Sequence, residues 1–407
     1  MALPLNAQQP ILYQAGTVIT VAGETLSPGM VLVQDGKIVS VAERIVDANA
    51  ELINFGPDAF LMPGLVDAYS QIGLTAATRD EVTEEVTPTF SVVTGIDWKQ
   101  RSMHQALATG TTTACITPGT ENVIAGLSAI IKTTSETKSA MINADGPLVI
   151  NLCSDPTRRN QSRQRPDSIY VRQPTNRMGV VWITRSSFDQ ARQSSARVDL
   201  NPLRQVVQDQ RKLLVVSRTA ADLETAFTLG DEFGFKPILV GGQESYRLVE
   251  RIAEKGAAVV LTPVPTGVTS GPERTEICLN RAGLLADAGV PIALSGEDLL
   301  TEARFAVRHG LDRNTALAAV TATPAKILGQ EERIGSLQPG LDADFIILNG
   351  DPLEFTTAIT HIVVDGRLIA GEHPESVTPV EPAEMPGQAE PIVSTSTLTQ
   401  TQDIVFN

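Results

Sequence analysis

Histidine is scarce in this chain. Four occur in 407 residues, His104, His309, His361 and His373, far apart and never as a closely spaced pair. Isolated imidazoles of this kind are ordinary surface or hydrogen-bonded residues, and nothing here has the spacing of a metal-ligand cluster. Cysteine is equally thin: Cys115, Cys153 and Cys278 are odd in number and widely separated, which excludes a disulfide scaffold and points to thiols in a reducing compartment. Basic charge is also deficient, with 32 Lys and Arg against 47 Asp and Glu, a net charge of −15. Such a chain has no field to neutralise a phosphate backbone, so nucleic acid is not an expected partner. No apolar run reaches the roughly 18 residues of a membrane span, and the first residues have neither a basic head nor an apolar core of a signal peptide. A cytoplasmic protein without membrane contact is the expectation. Glycine-rich dinucleotide or phosphate-loop motifs and a nucleophile elbow are missing too, so nucleotide cofactors and serine hydrolysis are not indicated.

What is present is a globular composition, 42% hydrophobic and 19% charged, in a chain too long for one ordinary core. The N-terminal region carries short β-branched runs around Val18 and Val31, then Asp35-Gly36, then Ile38-Val39-Ser40-Val41. An Asp-Gly step between such runs marks a hairpin, because both turn residues must tolerate positive φ. The pattern returns near the other end, where Ile362-Val363-Val364 precedes Asp365-Gly366 and Leu368-Ile369. Residues 1–62 and 335–373 are therefore expected to build one small β-sandwich from both termini.

The stretch between them alternates short apolar runs with helix-length amphipathic ones, as parallel βα units do. Strands are expected over 60–66, 111–116, 213–217, 237–240, 257–261 and 291–294, and helices over 220–233 and 244–255. Residues 63–334 match the length of a (β/α)₈ TIM barrel. The stretch 144–184, rich in Arg, Asn, Gln and Pro, reads as a long loop or an excursion from the barrel and leaves barrel strands three and four without a position. Residues 374–407 turn to Pro, Glu, Thr, Ser and Gln and read as a solvated tail ending in the apolar Ile404-Val405-Phe406.

Several segments resemble the amidohydrolase superfamily, in particular its imidazolonepropionase-like branch. They are Phe60-Leu61-Met62-Pro63-Gly64-Leu65-Val66-Asp67-Ala68, the run 107–113, Pro118-Gly119-Thr120-Glu121-Asn122, then Thr323-Pro324-Ala325-Lys326, Gly335-Ser336-Leu337-Gln338-Pro339-Gly340 and Asp342-Ala343-Asp344-Phe345. The resemblance covers roughly residues 10–373. It implies an α/β fold, a TIM barrel flanked by a composite β domain, and hydrolysis of non-peptide C–N bonds with a divalent metal such as zinc at the barrel mouth.

The implied ligand positions hold other residues. Where the family has two histidines one residue apart, this chain has Tyr69 and Gln71. The fifth-strand histidine falls in Val215-Val216-Ser217-Arg218, and the sixth-strand one maps onto Gly241. The eighth-strand aspartate maps onto Ser295-Gly296-Glu297-Asp298. Lys132 stands where some relatives carry a carboxylated lysine, here with no imidazole nearby. No metal or other cofactor is thus expected. Glu297 and Asp298 are the candidate catalytic carboxylates, and Tyr69, Gln71 and Arg218 the candidate binding groups, with Arg218 either holding an anion or neutralising Glu297 or Asp298.

Three functions compete. The first is a degenerate amidohydrolase that binds a small carboxylate or amide without hydrolysing it. The second is a working C–N hydrolase with a rebuilt or metal-free site using Glu297 or Asp298. The third is a structural subunit, in a homo-oligomer or paired with an active relative. The residues favour the first and third.

Overall fold

A computed structural model describes residues 9–371, apart from 82, 135–139, 159–172, 194–196, 265–272 and 274. The tail 374–407 and His373 lie outside the described residues. The fold is mixed α/β.

Five strands form a parallel run: Leu148–Asn151, Leu213–Ser217, Pro237–Gly241, Val259–Leu261 and Ile292–Leu294. Their register aligns Asn151 with Val216, Ser217 with Gly241, Gly241 with Leu261, and Leu261 with Leu294, so the C-terminal ends share one rim. Alternate residues serve two cores. Val149, Val216, Val240, Val260 and Ala293 pack with Val66, Ala68 and Cys115 into one small-residue cluster. Their neighbours Ile150, Val215, Leu239, Val259 and Ile292 face the helices in another. A parallel sheet buried on both faces requires such continuous apolar runs, which is why four of these five strands, all but Leu148–Asn151, are readable from sequence.

Two further strands, Leu65–Ser70 and Thr111–Ile116, pair in parallel with each other. Residues 319 and 320 link them to the five-stranded run, since Leu294 N donates to Ala319 O and Val66 N to Val320 O. On the other side lies a departure from the expected all-parallel barrel. Ala129–Lys132 runs antiparallel to Thr111–Ile116, and Ile124–Leu127 runs antiparallel to Leu148–Asn151. The connection 117–128 between Thr111–Ile116 and Ala129–Lys132 holds the strand Ile124–Leu127 and no helix to carry the chain across for a parallel pairing, so it turns back. The described residues of the stretch 144–184 include the strand Leu148–Asn151 and the start of the helix Arg177–Gln193.

Strands from both ends of the chain share a six-stranded sheet. In it Phe60–Pro63 pairs antiparallel with Phe345–Leu348, which pairs in turn with Ile359–Val364. Tyr13 meets Phe345 edge to face at 4.9 Å in the core between this sheet and the N-terminal one. Both Asp-Gly turns have the positive φ their hairpins demand, 51° and 77° at Asp35 and Gly36, 49° and 70° at Asp365 and Gly366.

Lys132 is buried against this sheet. Its Nζ lies 3.0 Å from Asp342 and 3.1 Å from Asp344 and also contacts Asp365. Lys132 is therefore a structural ion-pair centre and not part of the barrel mouth.

Candidate functional site

At the C-terminal rim of the parallel strands opens a cleft of about 1110 Å³. Tyr69, Gln71, Arg218, Glu297 and Asp298 all line it, so the sequence-predicted site residues do come together. Their pairing differs from expectation.

Arg218 follows directly on the strand Leu213–Ser217 and precedes the helix Ala220–Phe233, whose start is set by a capping box between Thr219 and Asp222. The Asp222 carboxylate also accepts from the backbone N–H of Arg218 at 3.1 Å and of Thr219 at 2.9 Å, which fixes the base of the arginine. The guanidinium is then held by acids that the sequence reading did not single out. Its Nη1 donates to Asp155 Oδ1 at 3.0 Å and Glu273 Oε2 at 2.9 Å, and its Nη2 to Asp155 Oδ2 at 2.5 Å. The expected ion pair of Arg218 with Glu297 or Asp298 is not formed. Those two carboxylates follow the strand Ile292–Leu294, whereas Asp155 follows Leu148–Asn151, which pairs with the arginine's own strand and which the sequence did not place.

Thr120 Oγ1 donates to Asp155 at 2.7 Å, and Arg158 approaches it at 3.3 Å. Burial works to raise the Asp155 pKa, but these partners hold it below the ordinary carboxylate range. Arg218 is likewise kept firmly protonated by Asp155 and Glu273 despite burial.

Asp298 is occupied otherwise. Its carboxylate caps the helix Leu299–Arg308, accepting from Thr301 N at 3.1 Å and Thr301 Oγ1 at 2.8 Å. Glu297 is exposed and offers a carboxylate to the cleft, with its backbone carbonyl accepting from Thr109 Oγ1 at 3.2 Å. Gln71 accepts from Arg79 at 3.3 Å, and Arg79 in turn pairs with Asp80 at 3.2 Å. Burial pushes the Tyr69 phenol well up, leaving it a neutral donor.

Asp67 is the third residue the sequence reading passed over as a site group. It lines the cleft from the strand Leu65–Ser70, where desolvation pushes its carboxyl up to about 7 against a hydrogen bond of 3.1 Å from Tyr69 N. A carboxylate inside an apolar run was a legible signal for it. Asp155, just before Pro156, offered a weaker one, and Glu273 offered none.

The described histidines sit elsewhere. His104 is exposed on the helix Arg101–Ala108, His309 rests on Phe305 with ring centroids 4.4 Å apart, and His361 lies beside Phe55 at 4.8 Å. Among the described residues no cluster of three or more His, Cys, Asp or Glu has metal-holding geometry.

Comparison with known proteins places this architecture. A model of the amidohydrolase family matches residues 240–370. The amidohydrolase of Thermotoga maritima superimposes with a TM-score of 0.82 at 27% identity, over 89% of this chain and 100% of that one. The chain belongs to the amidohydrolase superfamily. Within it, an imidazolonepropionase of Aeromonas hydrophila is 31% identical over 135 residues, 30% of this chain and 32% of that protein, in keeping with the imidazolonepropionase-like branch. The amidohydrolase tasK of Hapsidospora irregularis is 24% identical over 392 residues, 83% of this chain. This amidohydrolase-superfamily chain spans only 39% of the length of tasK.

Proposed function

We propose that this chain uses the amidohydrolase fold to bind a small carboxylate or amide ligand and does not carry out the metal-assisted C–N hydrolysis for which the family is named. The fold reading that goes with it is a (β/α)₈-type barrel over residues 63–334, with residues 1–62 and 335–373 as a composite β domain.

One observation carries the proposal: a guanidinium, locked by Asp155 and Glu273, occupies the rim where a divalent ion would need neutral nitrogen or anionic oxygen donors. The rest of the donor set fits no better. Tyr69 is held as a neutral phenol and Gln71 is an amide engaged by Arg79. At Gly241 φ is +96°, and a Cβ there would lie 3.1 Å from Gln243 Oε1 and 3.3 Å from Ser217 O, so a larger side chain would be strained. The residues present do not fit the family's metal.

A second reading is metal-free hydrolysis. It is favoured by Glu297, a cleft carboxylate with no ion pair among the described residues, and by Asp67, whose raised pKa near 7 suits proton transfer at neutral pH. Assembly as a homo-oligomer, or with an active relative that supplies the hydrolytic step, belongs to the same proposal.

The test is a turnover assay of the purified chain on N-acyl amino acids, dipeptides and cyclic ureides, with the Glu297→Gln variant in parallel. Absence of turnover supports the binding role. Turnover lost in Glu297→Gln would establish the metal-free hydrolase, and turnover that requires added zinc or manganese would overturn both readings.

A further inference from the structure

Glu273 reaches Arg218 from far along the chain. It lies in the connection between the strand Val259–Leu261 and the helix Arg281–Asp287, 55 positions from the arginine. Its two carboxylate oxygens have different donors: Oε2 accepts from Arg218 Nη1 at 2.9 Å, and Oε1 accepts from the backbone N–H of Ser154. A donor for each oxygen, one of them charged, is what recognition of a carboxylate requires. The same donor set has a member that Glu273 leaves unused. Ser154 Oγ, on the residue whose N–H holds Oε1, is buried and has no hydrogen-bond partner among the described residues. A hydroxyl withdrawn from water in this way calls for an acceptor. Arg218 and Asp155 meanwhile line the cleft, so the guanidinium that carries Glu273 is also part of the cleft wall. Charge is matched at this point of the rim, with Arg218 and Arg158 facing Asp155 and Glu273. A ligand carboxylate in place of Glu273 preserves that match, and a cation in the same place destroys it.

We propose that Arg218 and Ser154 form a carboxylate subsite of the cleft, which Glu273 fills from within the chain, and that a ligand carboxylate enters by taking the place of Glu273. This deepens the binding role above and rests on it. The incoming group takes Arg218 Nη1 and the Ser154 N–H, and the unused Ser154 hydroxyl supplies a hydrogen bond that Glu273 does not make. Asp155 keeps its two contacts with Arg218 throughout, so the arginine stays in place as the occupant changes. A tethered carboxylate competes at an effective concentration on the order of millimolar. Glu273 therefore sets a threshold: simple anions of the medium are kept out, and a carboxylate held by further contacts in the cleft displaces it. The ligand class is a carboxylic acid whose remainder is held elsewhere in the cleft.

The probe is propionate, which copies the end of a glutamate side chain, against propionamide as its neutral isostere and sodium chloride at matched ionic strength. Binding to the full chain is followed by ligand-observed NMR and by thermal melts in a buffer free of carboxylates. Glu273→Ala is expected to bind propionate about tenfold more tightly than the parent, with a saturable rise in melting temperature that propionamide and chloride do not give. Glu332→Ala, at an exposed acid that does not line the cleft, makes the same change in net charge and should leave propionate affinity at the parental value. Adding Ser154→Ala to Glu273→Ala should weaken propionate several-fold, and adding Arg218→Met should abolish its binding. Glu273→Gln keeps the size of the side chain and serves if Glu273→Ala does not fold; its propionate affinity should also exceed the parent's. Equal propionate affinity in the parent and the Glu273 variants, a gain of the same size in Glu332→Ala, or binding that survives Arg218→Met would overturn the inference. Those outcomes leave the binding role standing, and that role fails separately if turnover requires added metal.

Discussion

Arg218 holds Asp155 with both terminal nitrogens, Nη1 at 3.0 Å from Oδ1 and Nη2 at 2.5 Å from Oδ2. This fork-to-fork contact ties the end of the strand Leu213–Ser217 to the segment that follows Leu148–Asn151, with Glu273 closing the third side. An arrangement of this kind is stabilising only while both signs are present. Its members therefore respond asymmetrically to mutation.

Arg218→Met alone takes the shared cation from Glu273 and leaves Asp155 with only the exposed Arg158, and a loss of about 3 kcal/mol is expected. Combining it with Asp155→Asn and Glu273→Gln should recover more than half of that loss. Denaturant titrations of the two variants check this, and a triple variant no more stable than the single one would show that the acids do not depend on Arg218.

The adjacent carboxylates Glu297 and Asp298 should separate cleanly. Asp298→Ala removes the cap of the helix Leu299–Arg308 and should cost about 1 kcal/mol. Glu297→Ala should change stability by no more than about 0.5 kcal/mol, since it is exposed and makes no side-chain bond among the described residues. Thermal melts of both variants decide it; a larger loss for Glu297→Ala would contradict the assignment of Asp298 as the cap.

The contrast between these residues shows where the sequence is legible. Strands such as Thr111–Ile116 and Leu213–Ser217 are continuous apolar runs because both faces are buried, and the helix Ala220–Phe233 announces itself through its Thr219 cap and Gly234 stop. The two Asp-Gly hairpins are fixed by local φ requirements and are equally readable. Family resemblance located the rim positions Tyr69, Gln71, Arg218 and Glu297. It did not locate their partners, because an ion pair between residues 63 positions apart, as in Arg218 and Asp155, leaves no local pattern. The reversed strand Ala129–Lys132 was hidden for a different reason: only its partner Thr111–Ile116 was placed from sequence, and pairing direction depends on whether the connection between the two carries a crossover helix.

Lys132 offers a test of the junction between the two ends of the chain. Lys132→Met removes the cation shared by Asp342, Asp344 and Asp365, and a loss of about 3 kcal/mol or more is expected. Burial raises Asp344 to about 6, so below that pH it takes up a proton and the repulsion among the acids is relieved. The loss should therefore be larger at pH values above 6 than below. A pH-independent loss, measured by denaturation across that range, would contradict the ion-pair account.

Asp67 makes a prediction of opposite sense to the usual carboxylate. Its folded pKa, about 7, lies above the roughly 3.9 of an unfolded chain, so the folded state binds the extra proton between those values. Its contribution to stability is then full at low pH and declines as pH rises through 7. Asp67→Asn, which cannot ionise, should flatten that decline and gain relative to the parent above neutrality. Melting temperatures of the pair across this range check it, and parallel curves would mean that Asp67 is ionised throughout.

At the rim Arg218 is clamped by Asp155 and Glu273, and the binding role proposed for this site excludes the metal that the family uses. The most direct measurement is elemental analysis of the purified full chain after growth in zinc-, manganese- and iron-supplemented medium and dialysis against a chelator. The account predicts well below one metal equivalent per chain, unchanged in Arg218→Met. A full equivalent that survives the chelator would contradict it.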